Sequence, residues 1–218
     1  MLFPLVALTI YVLFGTDWFY IYDIEVQGTR LLTKAEVYNR SRLEALHLFW
    51  LRPRTVAERL EEDPVVARAV VSALPPSLVT IRLEERLPAA VWQSGGSSYY
   101  VDGEGVLFGL RGDASAMLVI RDLKDAPVEM GSSVDPAAIR TARELTRLIP
   151  ERRAFDWEAG HGLSFLTDGG WRVTFGDYTR LATKVAAFQA FKEQIQPEQA
   201  ILLLDLSMPE HPYYRVSP

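Results

Sequence analysis

The sequence predicts an α+β protein in three successive parts: an apolar N-terminal helix over residues 1–19, a module of three strands and two helices over 20–87, and a mainly antiparallel β domain with two helices over 88–218. Three observations predict it. The opening run MLFPLVALTIYVLFG carries no charged side chain. The following segment changes hydrophobic period from 2 to 3.6 and back, in the order strand, helix, helix, strand, strand. The remainder is cut into short β-type runs by Asp-Gly and Glu-Gly turn signals, with two long helical periods between them.

Composition narrows the functional classes. A chain of 218 residues suits two small cores. A net charge of −5 argues against a nucleic-acid partner, which needs a basic face to neutralise phosphates. The absence of cysteine excludes disulfides, thiolate catalysis and zinc–thiolate sites, and leaves the compartment open.

A helix over residues 1–16 would reach roughly 24 Å, short of a ~30 Å hydrocarbon core. Continued through Trp18, Phe19 and Tyr20 it nearly spans that core, with aromatic rings at the interface. A cleaved signal peptide would need a basic start and a small-residue cleavage site, and a core helix would be apolar on all sides. A transmembrane anchor is therefore expected. No Lys or Arg precedes the run, so the natural chain is expected to begin earlier, with a short basic tail that leaves residue 17 onward outside the cytoplasm.

YIYDIEVQG (20–28) alternates as a strand, with Tyr22, Ile24 and Val26 on one face, and Gly28 ends it. Thr33 and Glu36 form a capping box for a helix from Lys34 to about Leu43. A second helix starts at Pro53, with Val56 and Leu60 one turn apart, and Pro64 stops it. VVARAVVSAL and SLVTIRLEER are strands on either side of the Pro75-Pro76 turn. Later, Asp135-Pro136 opens a helix to about Ile149, with Ile139, Ala142, Thr146 and Ile149 inward. LSFLT and WRVTFG are joined at Asp168-Gly169-Gly170. The helix in DYTRLATKVAAFQAFKEQI is expected to bury Leu181, Val185, Phe188 and Ile195, with Arg180, Lys184 and Lys192 outside that stripe. AILLLDL is a buried strand and HPYYRV a short final one.

Reactive constellations are scarce. His47, His161 and His211 lack metal-ligand spacing. GLSFL lacks the second glycine of a nucleophile elbow, and GEGVLF lacks the last glycine of a dinucleotide loop. A carboxylate pair of the glycosidase type would form only in space, so sequence leaves it open. No catalytic residue, cofactor, metal or small-molecule substrate is expected. Recognition remains, and SMPEHPYYRVSP draws attention to the tail. Pro209, Pro212 and Pro218 keep it from being a central strand, and a terminal edge strand offers free N–H and C=O groups to another chain. Tyr213 and Tyr214 either flank such an added segment or cap the domain's own core.

Several stretches in this order resemble the FtsQ/DivIB family of bacterial cell-division proteins. They are IYDIEVQGTRLLTKAEV, VAERLEEDPVVARAVVSALPPSLVTIRLEERLPAAVW, YYVDGEGVLF, WRVTFGDYTRLATKVAAF and ILLLDL. The resemblance runs from the apolar helix nearly to the C-terminus and departs in the missing cytoplasmic tail. It implies a single-pass protein of the cytoplasmic membrane at the division septum, with an extracytoplasmic POTRA domain over 20–87 and a β domain after it. It also implies a non-enzymatic divisome scaffold that binds coiled-coil division proteins of the FtsB/DivIC and FtsL type. That role is carried onto Met208, Tyr213, Tyr214, Arg215 and Val216, and onto Arg180, Lys184 and Lys192 of the preceding helix. Glu85, Arg86 and Pro88 then mark the domain junction. Pro88 biases Leu87 to an extended backbone, so one strand is expected to pass straight into the next, with Glu85 and Arg86 bonded locally. An alternative is a POTRA-type chaperone or translocation component for exported polypeptides. Such proteins commonly repeat the unit or add a transmembrane barrel, which two intervening helices disfavour here.

Overall fold

A computed structural model describes residues 2–194 and 201–216. The chain divides into two compact units, residues 1–86 and 87–218.

The first unit begins with α1 (Leu2–Phe14). Its thirteen residues correspond to roughly 20 Å. Among the described residues no helix is long and apolar enough to cross a membrane, so the expected continuous span through Trp18–Tyr20 is corrected. The chain leaves the helix at Gly15, Thr16 is extended, and Asp17–Phe19 form a separate 3-10 turn. The hydroxyl of Thr9 within α1 donates to the carbonyl of Leu5, and that of Thr16 just beyond the helix donates to the carbonyl of Val12, which hides two polar groups against the helix backbone.

Next come β1 (Tyr20–Ile21), β2 (Glu25–Gln27), α2 (Lys34–Ser41), β3 (Leu46–His47), α3 (Pro53–Glu61), β4 (Val66–Leu74) and β5 (Leu78–Glu85). The expected strand over 20–28 is in fact two. β1 pairs with β3, and β2 joins a separate sheet of order β2-β5-β4, parallel to β5. Asp23 accepts from the N–H of Ile24 at the break, and the inward residues are Ile21 and Ile24 while Tyr22 is exposed. The capping box forms: Thr33 accepts from Glu36 N–H, and Glu36 accepts from Thr33 N–H. Val56 and Leu60 of α3 are buried with Val37, Val79, Ile81 and Leu83. Gly28 has φ +85°, and a Cβ there would stand 2.0 Å from the Leu83 carbonyl oxygen, so only glycine lets the loop cross β5 so closely.

The second unit holds β6 (Ala90–Ser94), β7 (Ser97–Val101), β8 (Leu107–Gly109), β9 (Val119–Asp122), α4 (Pro136–Leu148), β10 (Ala154–Glu158), β11 (Gly162–Leu166), β12 (Arg172–Gly176), α5 (Leu181–Gln194), β13 (Ile201–Asp205) and β14 (Tyr213–Val216). Its strands form one nine-stranded sheet, larger than the short runs suggested, in the order β14-β13-β12-β11-β10-β9-β6-β7-β8. β6–β9, β9–β10 and β12–β13 are parallel; the other neighbours are antiparallel. Parallel neighbours need a crossover, and α4 and α5 supply it for β9–β10 and β12–β13. Both helices pack into one core, where Ile139, Ala142 and Leu145 of α4 and Leu181, Val185 and Phe188 of α5 meet Trp92, Ile120, Phe155, Phe165 and Phe175 of the sheet. Leu145 takes the inward place expected of Thr146, which is half-buried. Ile195 lies outside the described residues.

Candidate functional site

The C-terminal hairpin is the candidate site. β13 is parallel to β12 and antiparallel to β14, and β14 is the last strand of the sheet. The turn before β14 is fixed by local bonds: Asp205 accepts from Ser207 N–H at 2.8 Å, and Met208 C=O accepts from His211 N–H at 3.0 Å. Pro209 and Pro212 both fall in this turn, outside β14, so neither interrupts its pairing. Pro218 lies outside the described residues.

All four residues of β14 are exposed. Tyr214 stands opposite Leu204 and places its ring 5.4 Å from that of Phe191 on α5. Tyr213 stands opposite Asp205, and its hydroxyl donates to that carboxylate at 3.3 Å. Alternation therefore gives the rim two faces: Tyr214 and Val216 beside α5, Tyr213 and Arg215 on the other side. Among the described residues β14 pairs on one side alone, with β13, so its outer backbone groups face away from the sheet.

The basic residues assigned around this rim separate into three situations. Arg180 precedes α5 and forms an ion pair with Glu210 in the turn before β14. Lys192 stands 5.7 Å over the Phe188 ring and lines a cavity of about 270 Å³ with Arg152, Phe165 and Trp171. Lys184 is the correction. It is 1% exposed and belongs to the inward stripe of α5, so it cannot offer its charge to a foreign segment. Its ammonium donates to the backbone carbonyl and the carboxylate of Asp177, both at 3.2 Å. Partial burial raises the pKa of Asp177, but hydrogen bonds from the Thr179 N–H and hydroxyl, with Lys184, outweigh it and hold the carboxyl below the ordinary range. This pair fixes the start of α5 against the end of β12.

The junction residues also differ from expectation. β5 ends at Glu85 and β6 starts at Ala90, so residues 86–89 stand between the strands. Glu85 is buried, and its carboxylate accepts from the N–H groups of Arg30, Leu31 and Leu32 at 2.9, 2.6 and 2.9 Å. It is a long-range tie that holds the loop before α2, and not a local contact. Arg86 N–H donates to Val65 C=O at 2.8 Å, while Pro88 is half-buried ahead of the first β6–β7 bonds.

Sequence reasoning missed Phe191, Asp205 and Glu210. Phe191 follows Phe188 by one turn, a spacing that could have marked it. Glu210 sits in a proline-flanked turn where nothing announces its Arg180 partner. Among the described residues, no group of three or more His, Asp or Glu could hold a metal ion.

Comparison with known proteins follows the same division of the chain. A family described as POTRA domain, FtsQ-type, matches residues 19–86, and one described as cell division protein FtsQ/DivIB, C-terminal, matches residues 90–207. Similar proteins include cell division protein FtsQ of Chloroflexus aggregans, 29% identical over 94% of this chain and 76% of that protein. FtsQ of Chloroflexus aurantiacus is 28% identical over 95% and 77%, and FtsQ of Geotalea daltonii 25% over 86% and 72%. With both of its units matched in order, the chain belongs to the FtsQ/DivIB family of bacterial cell-division proteins.

Proposed function

We propose that this protein is a non-enzymatic divisome scaffold, held at the cytoplasmic membrane by α1 and binding division partners through extracytoplasmic domains at the septum. The observation that carries the binding role is the outer edge of β14, the exposed last strand of the sheet, which has no strand beyond it among the described residues. A partner segment would add as a tenth strand through main-chain hydrogen bonds. Tyr214 and Val216 would grip it on the α5 side, with Tyr213 and Arg215 opposite, and Met208 exposed in the turn below. Coiled-coil proteins of the FtsB/DivIC and FtsL type are the partners this reading names.

Anchoring is supported by the surface of α1. Phe3, Leu5, Leu8, Ile10 and Tyr11 are exposed on a helix without a charged side chain, a surface that water disfavours and lipid accepts. The domain boundaries proposed are an anchor over 1–19, a POTRA domain over 20–87 and a β domain over 88–218. The chaperone alternative draws support from the POTRA unit alone, whereas the match over residues 90–207 supports the scaffold. The test is capture of a partner's extracytoplasmic segment by the full chain. Tyr214→Glu should abolish it with the fold intact, and Tyr214→Phe should retain it. Unchanged capture by Tyr214→Glu would remove the assignment.

A further inference from the structure

α1 is joined to the rest of its unit by an aromatic cluster built around His47. The imidazole is buried, and its Nε2 lies 2.8 Å from the carbonyl of Leu13 in the last turn of α1. Nδ1 accepts from the N–H of Phe49 at 3.4 Å, which assigns the proton to Nε2 and makes it the donor to Leu13. A carbonyl at the helix end that lacks an intrahelical partner is thereby capped from a distant strand. Phe14 stacks on His47 at 5.2 Å and Tyr20 meets it edge-on at 5.0 Å.

This arrangement brings the segment Leu48–Trp50 beside the end of α1. Phe49 lies 6.3 Å from Phe14 and 5.3 Å from Phe19, ring to ring. Yet Phe49 remains 51% exposed and Trp50 70% exposed. Large aromatic side chains are costly to leave in water. Arg52 is exposed immediately after them. Aromatic rings with a neighbouring arginine, on a surface continuous with an uncharged apolar helix, match the chemistry of the bilayer's headgroup layer.

We infer that the Leu48–Trp50 turn is a second membrane contact: with α1 in the bilayer, Phe49 and Trp50 insert into the phospholipid headgroup layer and seat the first unit on it. The inference rests on the anchoring role proposed for α1 and adds a second point of attachment, which would restrict tilting of this unit about its helix. Continuity with α1 is what selects lipid over a protein as the occupant.

The chain has no cysteine, so single cysteines can be placed in it and spin-labelled without background. The full chain would be reconstituted into vesicles of phosphatidylethanolamine and phosphatidylglycerol, carrying Trp50→Cys, Ile10→Cys on α1, or Val70→Cys on the exposed face of β4. Label accessibility would be compared between oxygen, which concentrates in lipid, and a water-soluble nickel chelate. Ile10→Cys and Trp50→Cys should both favour oxygen, with Val70→Cys favouring nickel. A lipid-like Ile10 site with a nickel-accessible Trp50 site would overturn the inference and leave the anchor standing. A Trp50 site shielded from both reagents would mean a protein occupant and would also overturn it. If Ile10 itself is open to nickel, the anchoring reading fails and the second contact falls with it.

Discussion

The nine-stranded sheet ends in two very different ways. At one end, β8 is covered by the chain's own backbone: Leu107 N–H donates to Ser132 C=O at 2.9 Å, and Gly131 N–H donates back to Leu107 C=O at 2.8 Å. A bridge between Val106 and Ser133 extends this cover, and Leu107 and Phe108 are fully buried. At the other end β14 is exposed along its length, with no such cover among the described residues. An edge left open is an aggregation hazard that proteins usually manage. Among the described residues one edge is covered and the other has no backbone partner, the arrangement that the proposed strand addition requires.

The contrast can be broken or sharpened by substitution. The largest effect is expected for Tyr214→Glu, which should abolish partner capture in a pull-down. Met130→Glu, placing the same charge on the exposed side chain beside β8, should leave capture unchanged. Equal losses would mean the two edges do not differ in function. Next is Gly105→Ala, at the base of the cover. Gly105 has φ +91°, and a Cβ would stand 2.2 Å from the Val134 carbonyl oxygen. Thermal unfolding should report a loss of about 1–3 kcal/mol, and the protected edge should become more prone to aggregate.

A comparable loss of stability, about 1–3 kcal/mol, is expected for Asp177→Asn, which leaves the buried Lys184 ammonium without its carboxylate. The folded pKa of Asp177 is depressed, so its stabilising contribution is complete above the unfolded carboxylate value of about 3.9. It is lost as pH falls through the lower folded value. Acid unfolding of Asp177→Asn should accordingly lack that component. The smallest effect is expected for Tyr213→Phe, which removes one exposed hydrogen bond to Asp205. It should weaken hairpin stability by roughly 0.5–1.5 kcal/mol and leave capture by the rim measurable.

What the sequence discloses here is mostly local. The Thr33–Glu36 capping box, the Pro53 helix start and the Asp168–Gly170 hairpin each depend on residues a few positions apart, and each formed where expected. Glu85 could not be read that way, because its donors lie more than fifty residues earlier in the chain. The parallel pairs and the size of the sheet depend on how α4 and α5 cross over it, which alternation within a strand does not encode. Lys184 is a different error. It follows Leu181 by three residues and precedes Phe188 by four, so its angle placed it on the buried stripe while its charge suggested the surface. Angle prevailed because Asp177 supplied a partner. The tail strand was expected at an edge because of its prolines, yet Pro209 and Pro212 lie in the turn before β14, and its place at the edge depends on what the remaining chain pairs with.

Hydrogen exchange of the full chain, with and without the extracytoplasmic segment of a coiled-coil division partner, tests strand addition most directly. New amide protection is expected at residues 213–216 and in the added segment alone, with residues 107–109 already protected before binding. Binding that leaves exchange at 213–216 unchanged would contradict it.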